Sequence, residues 1–366
     1  MRTVLIALCI LISSIGYSQL TTTASGGNKK AVVGERIGLT DVTIHYDRPG
    51  VRGREGRIWG QLVPVGFTNL GFGSAKASPW RAGANENTTI TFSTNVKVEN
   101  SDLPAGTYGL FMAYDPNETT VIFSKNSSSW GSYYYDDKED VLRVKVKPVQ
   151  LDNSTEWLKY EFANQTDSTA TVQLVWEKLS IPIKIQTDVT ANQIAIFRKE
   201  LRSEKGFNWL AWNQAAQWCA QHKVNLDEAL LWADSASSQT FGGNTQFVTY
   251  VTKAQILSLL GRGDEAAQLI KDNMQYASMQ DIHYYARQLI NEKKPKEAFD
   301  LFKANYAKYP KQFTTLMGMA RGYSAMGDYK SALKFAQQAQ PLAPDNMNKQ
   351  GVEAAVGKLR EGKDMN

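Results

Sequence analysis

From about Glu35 the chain alternates between apolar and polar side chains. Val42, Ile44 and Tyr46 are separated by Thr43 and His45, and the same period of two recurs through Thr88-Ile90-Phe92, Tyr108-Leu110-Met112, Leu142-Val144-Val146, Leu158-Tyr160-Phe162, Val172-Leu174-Trp176 and Ile181-Ile183-Ile185. Such runs turn one face to a core and the other to water. Turn formers separate them: Asp47-Arg48-Pro49-Gly50, Pro104-Ala105-Gly106, Asp115-Pro116-Asn117 and Asn164-Gln165-Thr166-Asp167. Proline presets φ for the second position of a turn. Residues 35–187 therefore predict an all-β domain of about eight to ten strands, an antiparallel sandwich or jelly-roll-like barrel. After Thr187 the period becomes helical, beginning with Val189 to Leu201 and Trp209-Leu210-Ala211-Trp212. The boundary is expected near Asp188, with a helical connector over 188–246.

The last third repeats itself. Ala254 and Ala266, Ala286 and Ala298, and Ala320 and Ala332 share one offset, and Pro310 and Pro344 lie thirty-four residues apart. Three helical hairpins are expected over 247–278, 279–312 and 313–346. Alanines let two helices approach closely, a glycine such as Gly261 or Gly327 opens the turn, and a proline ends the second helix. These residues resemble the tetratricopeptide repeat. Residues 207–240, with Ala216 and Ala229, read as a further degenerate hairpin. Within 347–366, Lys349 to Arg360 carries Val352, Val356 and Leu359 and is expected to cap the stack before a short tail.

The repeat resemblance implies that the first helix of each hairpin lines an inner groove. Gln255, Arg287 and Arg321 then share its ninth position, Gln280 and Thr314 the second, and His283 and Met317 the fifth. Two arginines one repeat apart would make a positive rung for an acidic peptide or a free carboxylate. The alternative is a groove filled by the chain's own tail or by the β-domain, with the arginines satisfied internally.

At the other end, Met1-Arg2-Thr3 precedes an apolar run from Val4 to Ile12, then a small, polar stretch to Ser18. This pattern predicts a secretory signal over 1–18 and a periplasmic or extracellular location. The run is about nine residues, against the roughly 20 a spanning helix needs, so no transmembrane segment is expected in the mature chain. Cys9 follows Leu8 where a lipoprotein box needs a small residue. Residues 19–34, with Gly26-Gly27-Asn28-Lys29-Lys30, read as a flexible lead-in. Removal of the signal leaves Cys219 alone, within Trp218-Cys219-Ala220 on an expected helix, where it serves as a small buried hydrophobe.

Composition narrows the chemistry. With 41 basic and 36 acidic residues in 366, the formal charge is only +5, which does not suit a nucleic-acid protein. Of three histidines, only His45 lies in the strand-rich region, too few for a metal cage or a nucleophilic triad there. Tyr135-Asp136-Asp137-Lys138-Glu139-Asp140 is carboxylate-rich but lacks the glycine of a calcium loop. Leu70-Gly71-Phe72-Gly73-Ser74-Ala75-Lys76 lacks the ending of a phosphate loop. No catalytic residues, metal or cofactor are expected.

The unusual stretches are His45 to Gly60, with Arg48, Arg52, Arg54 and Arg57, and Pro79-Trp80-Arg81-Ala82-Gly83-Ala84-Asn85-Glu86. Arginine forks bind carboxylates and phosphates, and tryptophan stacks on sugars. Arg48, Arg54, Trp59, Trp80, Arg81, Asn85 and Glu86 are thus a candidate site for an anionic or glycan-like ligand. The alternative is that the arginines tie loops down through Asp47, Glu55 and Glu86. These stretches, with Leu103-Pro104-Ala105-Gly106-Thr107-Tyr108-Gly109-Leu110, Trp130-Gly131 and Leu142-Arg143-Val144, resemble a secreted bacterial family common in Bacteroidetes, domain of unknown function 2911. The resemblance covers about 35–185 and implies an exported β-rich domain without established activity. The expectation is an exported binding and scaffold protein with a protein or peptide partner on its repeats. The competing expectation is a glycan-acting enzyme with Glu86 as acid and Asp47 as second carboxylate, decided by their separation.

Overall fold

Alternation builds the first layer of the β-unit. In the computed structural model, which describes residues 27–366, β1 (Lys29–Ile37) and β2 (Thr40–Arg48) form a hairpin that sets Lys30 opposite Asp47 and Val32 opposite His45. With β3 (Thr88–Phe92), β6 (Gly106–Ala113), β7 (Thr119–Ser124) and β8 (Asp140–Val146) they make a six-stranded sheet in the order β1-β2-β3-β6-β7-β8. A second sheet, β5-β4-β10-β9, joins β4 (Val96–Val98), β5 (Ser101–Leu103), β9 (Val149–Ala163) and β10 (Thr169–Thr187). All paired strands are antiparallel.

The two inner faces share one core. Ile44, Ile90, Phe92, Leu110 and Phe123 of the first sheet are buried in the same cluster as Leu158, Leu174, Trp176, Ile183 and Ile185 of the second. This is the sandwich that the alternation predicts, since each strand keeps one apolar face inward. Each such side chain stabilises the fold by about 1.5–3 kcal/mol on burial.

Three elements differ from the sequence pattern. The first strand begins at Lys29, inside the stretch 19–34 expected to be a lead-in. Ala31 and Val33 pack on the core, while the edge strand keeps Lys29, Lys30 and Arg36 in water, which blunts edge-to-edge pairing. β7 has no simple alternation because its outer face is covered too: Phe111 and Ile122 are buried there beneath Ala75 and Tyr135. The runs 172–176 and 181–185 form one strand, interrupted by a register shift around Glu177, whose φ is +51°. The expected signal at 1–18 lies outside the described residues.

β10 ends at Thr187, and α1 (Val189–Glu200) follows. The chain divides into two compact units, one up to Gln193 and one from Ile194 to Asn366. The second holds α2 (Trp209–His222), α3 (Leu226–Ala236), α4 (Phe247–Leu259), α5 (Gly263–Asn273), α6 (Met279–Asn291), α7 (Pro295–Lys308), α8 (Phe313–Ala325), α9 (Tyr329–Ala339) and α10 (Asn346–Arg360). They pair as hairpins α2–α3, α4–α5, α6–α7 and α8–α9, with α10 on α9. All six repeat alanines are buried at the hairpin crossings. The first helices also touch in sequence, α2 to α4, α4 to α6 and α6 to α8, so they form one continuous face. Cys219 is buried in the first hairpin. No described helix is long and apolar enough to cross a membrane.

Local chemistry explains the hairpin ends. Gly261 and Gly327 turn out of α4 and α8 with φ of +80° and +85°, the left-handed conformation glycine adopts without a Cβ penalty. The middle hairpin places Lys293 there, at φ +62°. Its next helix restarts well, with Pro295 at the first turn. Ser278 and Asp281 form a reciprocal capping box at the start of α6. On α8, a Cβ at Gly318 would lie 2.6 Å from the Phe302 ring, and one at Gly322 would lie 2.7 Å from Phe299. These glycines let α7 lie close.

Two substitutions test this account. Lys293→Gly should raise stability by about 0.5–1 kcal/mol by removing the left-handed penalty, whereas Gly318→Ala should lower it. Thermal denaturation measures both, and a stabilised Gly318→Ala would contradict the close-packing argument.

Candidate functional site

The arginine and tryptophan cluster is tied into the scaffold. The Arg48 Nε donates to the Leu158 carbonyl at 2.8 Å. Arg54 donates to the carbonyls of Val51 at 3.0 Å and Gly50 at 2.7 Å. The Arg81 Nη1 reaches the Asn85 carbonyl at 2.7 Å, and its guanidinium stacks over Tyr133. The loops are tied through main-chain carbonyls, not through the neighbouring carboxylates that the sequence suggested. Trp59 and Trp80 meet Tyr114 and Trp176 in an aromatic cluster, with centroids 5.6 Å apart for Trp59–Trp80 and 6.2 Å for Trp80–Trp176. The Trp80 indole donates to the Gly83 carbonyl at 3.1 Å. Trp59 and Trp80 are half-buried against the core, whereas Tyr114 and Trp176 are buried in it. Of the seven residues, the structure sets Glu86 apart on an open cleft.

Glu86 is delivered by a contorted loop. Ala82 and Asn85 adopt φ of +52° and +56°. A Cβ on Gly83 would lie 2.7 Å from the Thr88 hydroxyl and 3.1 Å from the Asp47 carbonyl, so only glycine lets the loop lie on β2. Tyr160 and Thr88 both donate to the Ala82 carbonyl, at 2.8 Å and 3.0 Å. The loop thereby brings Glu86 beside Asp47, close enough for each carboxyl to shift the other's protonation. Lys30 on β1 closes the group, with its Nζ 2.7 Å from Glu86 Oε1.

The electrostatics follow from this geometry. Asp47 is only 4% exposed. Burial, then the Glu86 carboxyl, push its pKa up to about 6. The Lys30 ammonium holds Glu86 below the usual carboxylate range. Asp47 Oδ1 and Glu86 Oε2 are both buried without a hydrogen-bond partner, so the two carboxyls titrate as a coupled pair. The pair lies on a cleft of about 410 Å³, also lined by Lys30, His45, Asn87 and Ser127. It can take up and release one proton near pH 6.

The glycine-rich stretch around Ser74 and the acidic stretch 135–140 meet at a second cleft of about 540 Å³, with Phe67, Lys76 and Arg143. On its inner wall the Tyr135 hydroxyl donates to Asp140 Oδ2 at 2.6 Å and the Arg143 Nε to the same oxygen at 2.7 Å, while Asp140 Oδ1 is buried without a partner. Among the described residues no group of three or more His, Cys, Asp or Glu side chains is placed to hold a metal ion.

On the helical unit, Gln255 stands half-buried on α4, and Gln280 and Arg287 are exposed on α6. His283 is buried, and its Nδ1 has no partner. Burial, with Arg321 and Arg287 nearby, pushes its pKa down to about 4, so it is neutral at pH 7. Arg321 on α8 is lowered to about 10 by burial and by Arg287, and keeps its charge. The segment after α10 lies on this arginine: Arg321 Nη1 donates to Asn366 Oδ1 at 3.3 Å, and the Asn366 amide returns a bond to the Arg321 carbonyl at 3.2 Å. The tail that the sequence offered as an alternative occupant therefore engages Arg321, while Arg287 stays exposed.

Residues 28–185 match the family model described as protein of unknown function DUF2911. The matched region holds the sandwich, the arginine-rich connection and the carboxyl pair. No curated protein matches the chain. Similar solved structures include the APC/C hetero-tetramer Cut9–Hcn1, at 14% identity and a TM-score of 0.33, covering 47% of this chain and 33% of that one. YrrB, described as a TPR protein with an unusual peptide-binding site, is 12% identical with a TM-score of 0.28, covering 46% of this chain and 86% of its own. MamA from Desulfovibrio magneticus RS-1 is 13% identical with a TM-score of 0.29, covering 46% and 85%. The chain spans about a third of the length of the Cut9–Hcn1 chain.

The carboxyl pair gives the β-unit a testable pH dependence. Asp47 binds its proton more tightly folded than unfolded, so the stability it contributes is fully present below about 3.8 and is lost as pH rises through about 6. Between about pH 5 and about pH 7, the melting temperature of the wild type should fall relative to that of Asp47→Asn. A gap between the two proteins that stays constant over this window is the contrary result.

Proposed function

We propose that this chain is an exported binding and scaffold protein, with helical hairpins that dock a protein partner and a β-unit that presents a ligand cleft. The observation that carries the docking role is the continuous face of first helices, on which Arg287 and Gln280 are exposed beside a buried, neutral His283. A cation there, unneutralised by an adjacent histidine or carboxylate of α6, suits an acidic segment or free carboxylate. The charged n-region and short apolar run before Gln19 support export to the periplasm or exterior. In the β-unit, two carboxyls and Lys30 carry a net charge near zero below about pH 6 and one negative charge above it, which favours a neutral, hydroxyl-bearing, glycan-like ligand over an anion.

Arg287→Glu tests the docking role. Envelope proteins recovered with the wild-type chain should be lost from the variant by about tenfold or more, a change of about 1.4 kcal/mol, with helical circular dichroism unchanged. Undiminished recovery of every partner removes this reading. Amino-terminal sequencing of the exported protein should begin at or near Gln19, and finding Met1 on it would refute the signal.

A further inference from the structure

The segment after α10 is seated as a short peptide would be. The Ser324 hydroxyl donates to Asp364 Oδ1 at 2.6 Å and accepts the Met365 main-chain N–H at 3.0 Å. One side chain of α8 thus reads both a carboxylate and the backbone that follows it. The Met365 side chain is 7% exposed and packs in the cluster of Leu316, Ala320, Val356 and Leu359. Asn366 brackets Arg321 from both ends, accepting from its guanidinium and donating to its carbonyl. The segment is held by one apolar side chain and by four polar contacts, two exposed at Asn366 and two partly or fully buried at Ser324, each worth about 0.5–1.5 kcal/mol net. It leaves Arg287, one turn of repeat away, uncovered.

We infer that residues 363–366 form a displaceable plug, and that the α8 surface beneath it is a docking site for an acidic, methionine-containing peptide that reproduces the Asp364-Met365-Asn366 contacts. The inference rests on the docking role of the repeats and deepens it by naming the partner's chemistry: a carboxylate for Ser324, then a long unbranched apolar side chain, then an amide for Arg321. Arg287 extends the site toward further acidic residues of the incoming segment. Tethered beside its own site, the plug acts at a high effective concentration and lowers the apparent affinity for any free peptide.

The probe is a fluorescent peptide with the sequence of residues 360–366, added to the full chain and followed by polarisation. Met365→Asp should release the plug, and this variant should bind the peptide at least tenfold more tightly than the wild type. A peptide carrying Asp364→Lys should bind at least tenfold more weakly. Equal binding to the wild type and the variant, or indifference to the lysine, overturns the inference. Hydrogen exchange on the unaltered chain gives an independent reading that does not depend on how the variant folds. The Met365 amide should exchange at least a hundredfold faster than the amides in the middle of α8, and exchange as slow as theirs shows a fixed part of the core and overturns the plug. Partner recovery that still depends on Arg287 alongside failed peptide binding sinks the plug alone. Peptide binding without that dependence sinks the wider docking role alone.

Discussion

Four aromatic rings hold the β-unit together where β10 changes register. Trp176 is fully buried, and Trp59, Trp80 and Tyr114 close around it. One residue on, Glu177 takes a left-handed backbone and accepts the Gly56 N–H, which pins the arginine-rich connection to the same point. The loop from Trp80 to Glu86 depends on this cluster too, because Trp80 pairs through its main chain with Met112 in the middle of the six-stranded sheet. The position of the carboxyl pair is therefore a consequence of how a bulged strand packs its largest side chain.

This changes the meaning of the tryptophans and arginines that stand out in the sequence. Exposed, they would suggest recognition of sugars or anions. In the fold, the donors of Arg48, Arg54 and Arg81 end on carbonyl oxygens, and a sequence carries no mark of which carbonyls a loop will leave unpaired. Glu86 and Asp47 were legible as a pair because they sit in the two motif-rich stretches. Lys30 was not, because two lysines after two glycines read as a solvated leader until β1 is seen to pair with β2.

Strands with one wet face, such as β2 and β3, were legible from their period, whereas β7 was hidden by the loops over its outer face. The repeat alanines were legible because a helix crossing tolerates only small side chains, and all six are buried. Gly318 and Gly322 serve the same purpose on α8, yet glycine within a helix carries no period of its own. The pairing of Arg321 with a segment some forty residues on could be named from the sequence only as one of several occupants, since tail contacts leave no repeat signature.

The place of Lys30 on an edge strand has one further consequence. Its ammonium is what keeps Glu86 acidic, and it reaches Glu86 only while β1 is zipped to β2. Peeling β1 away withdraws that charge, so Glu86 binds its proton more tightly in the unzipped sheet than in the zipped one. Linkage makes the relation reciprocal: the Lys30–Glu86 contact holds the edge closed while Glu86 is ionised. The ionisation of Glu86 is thus tied, through Lys30, to the pairing of the outermost strand of the sandwich.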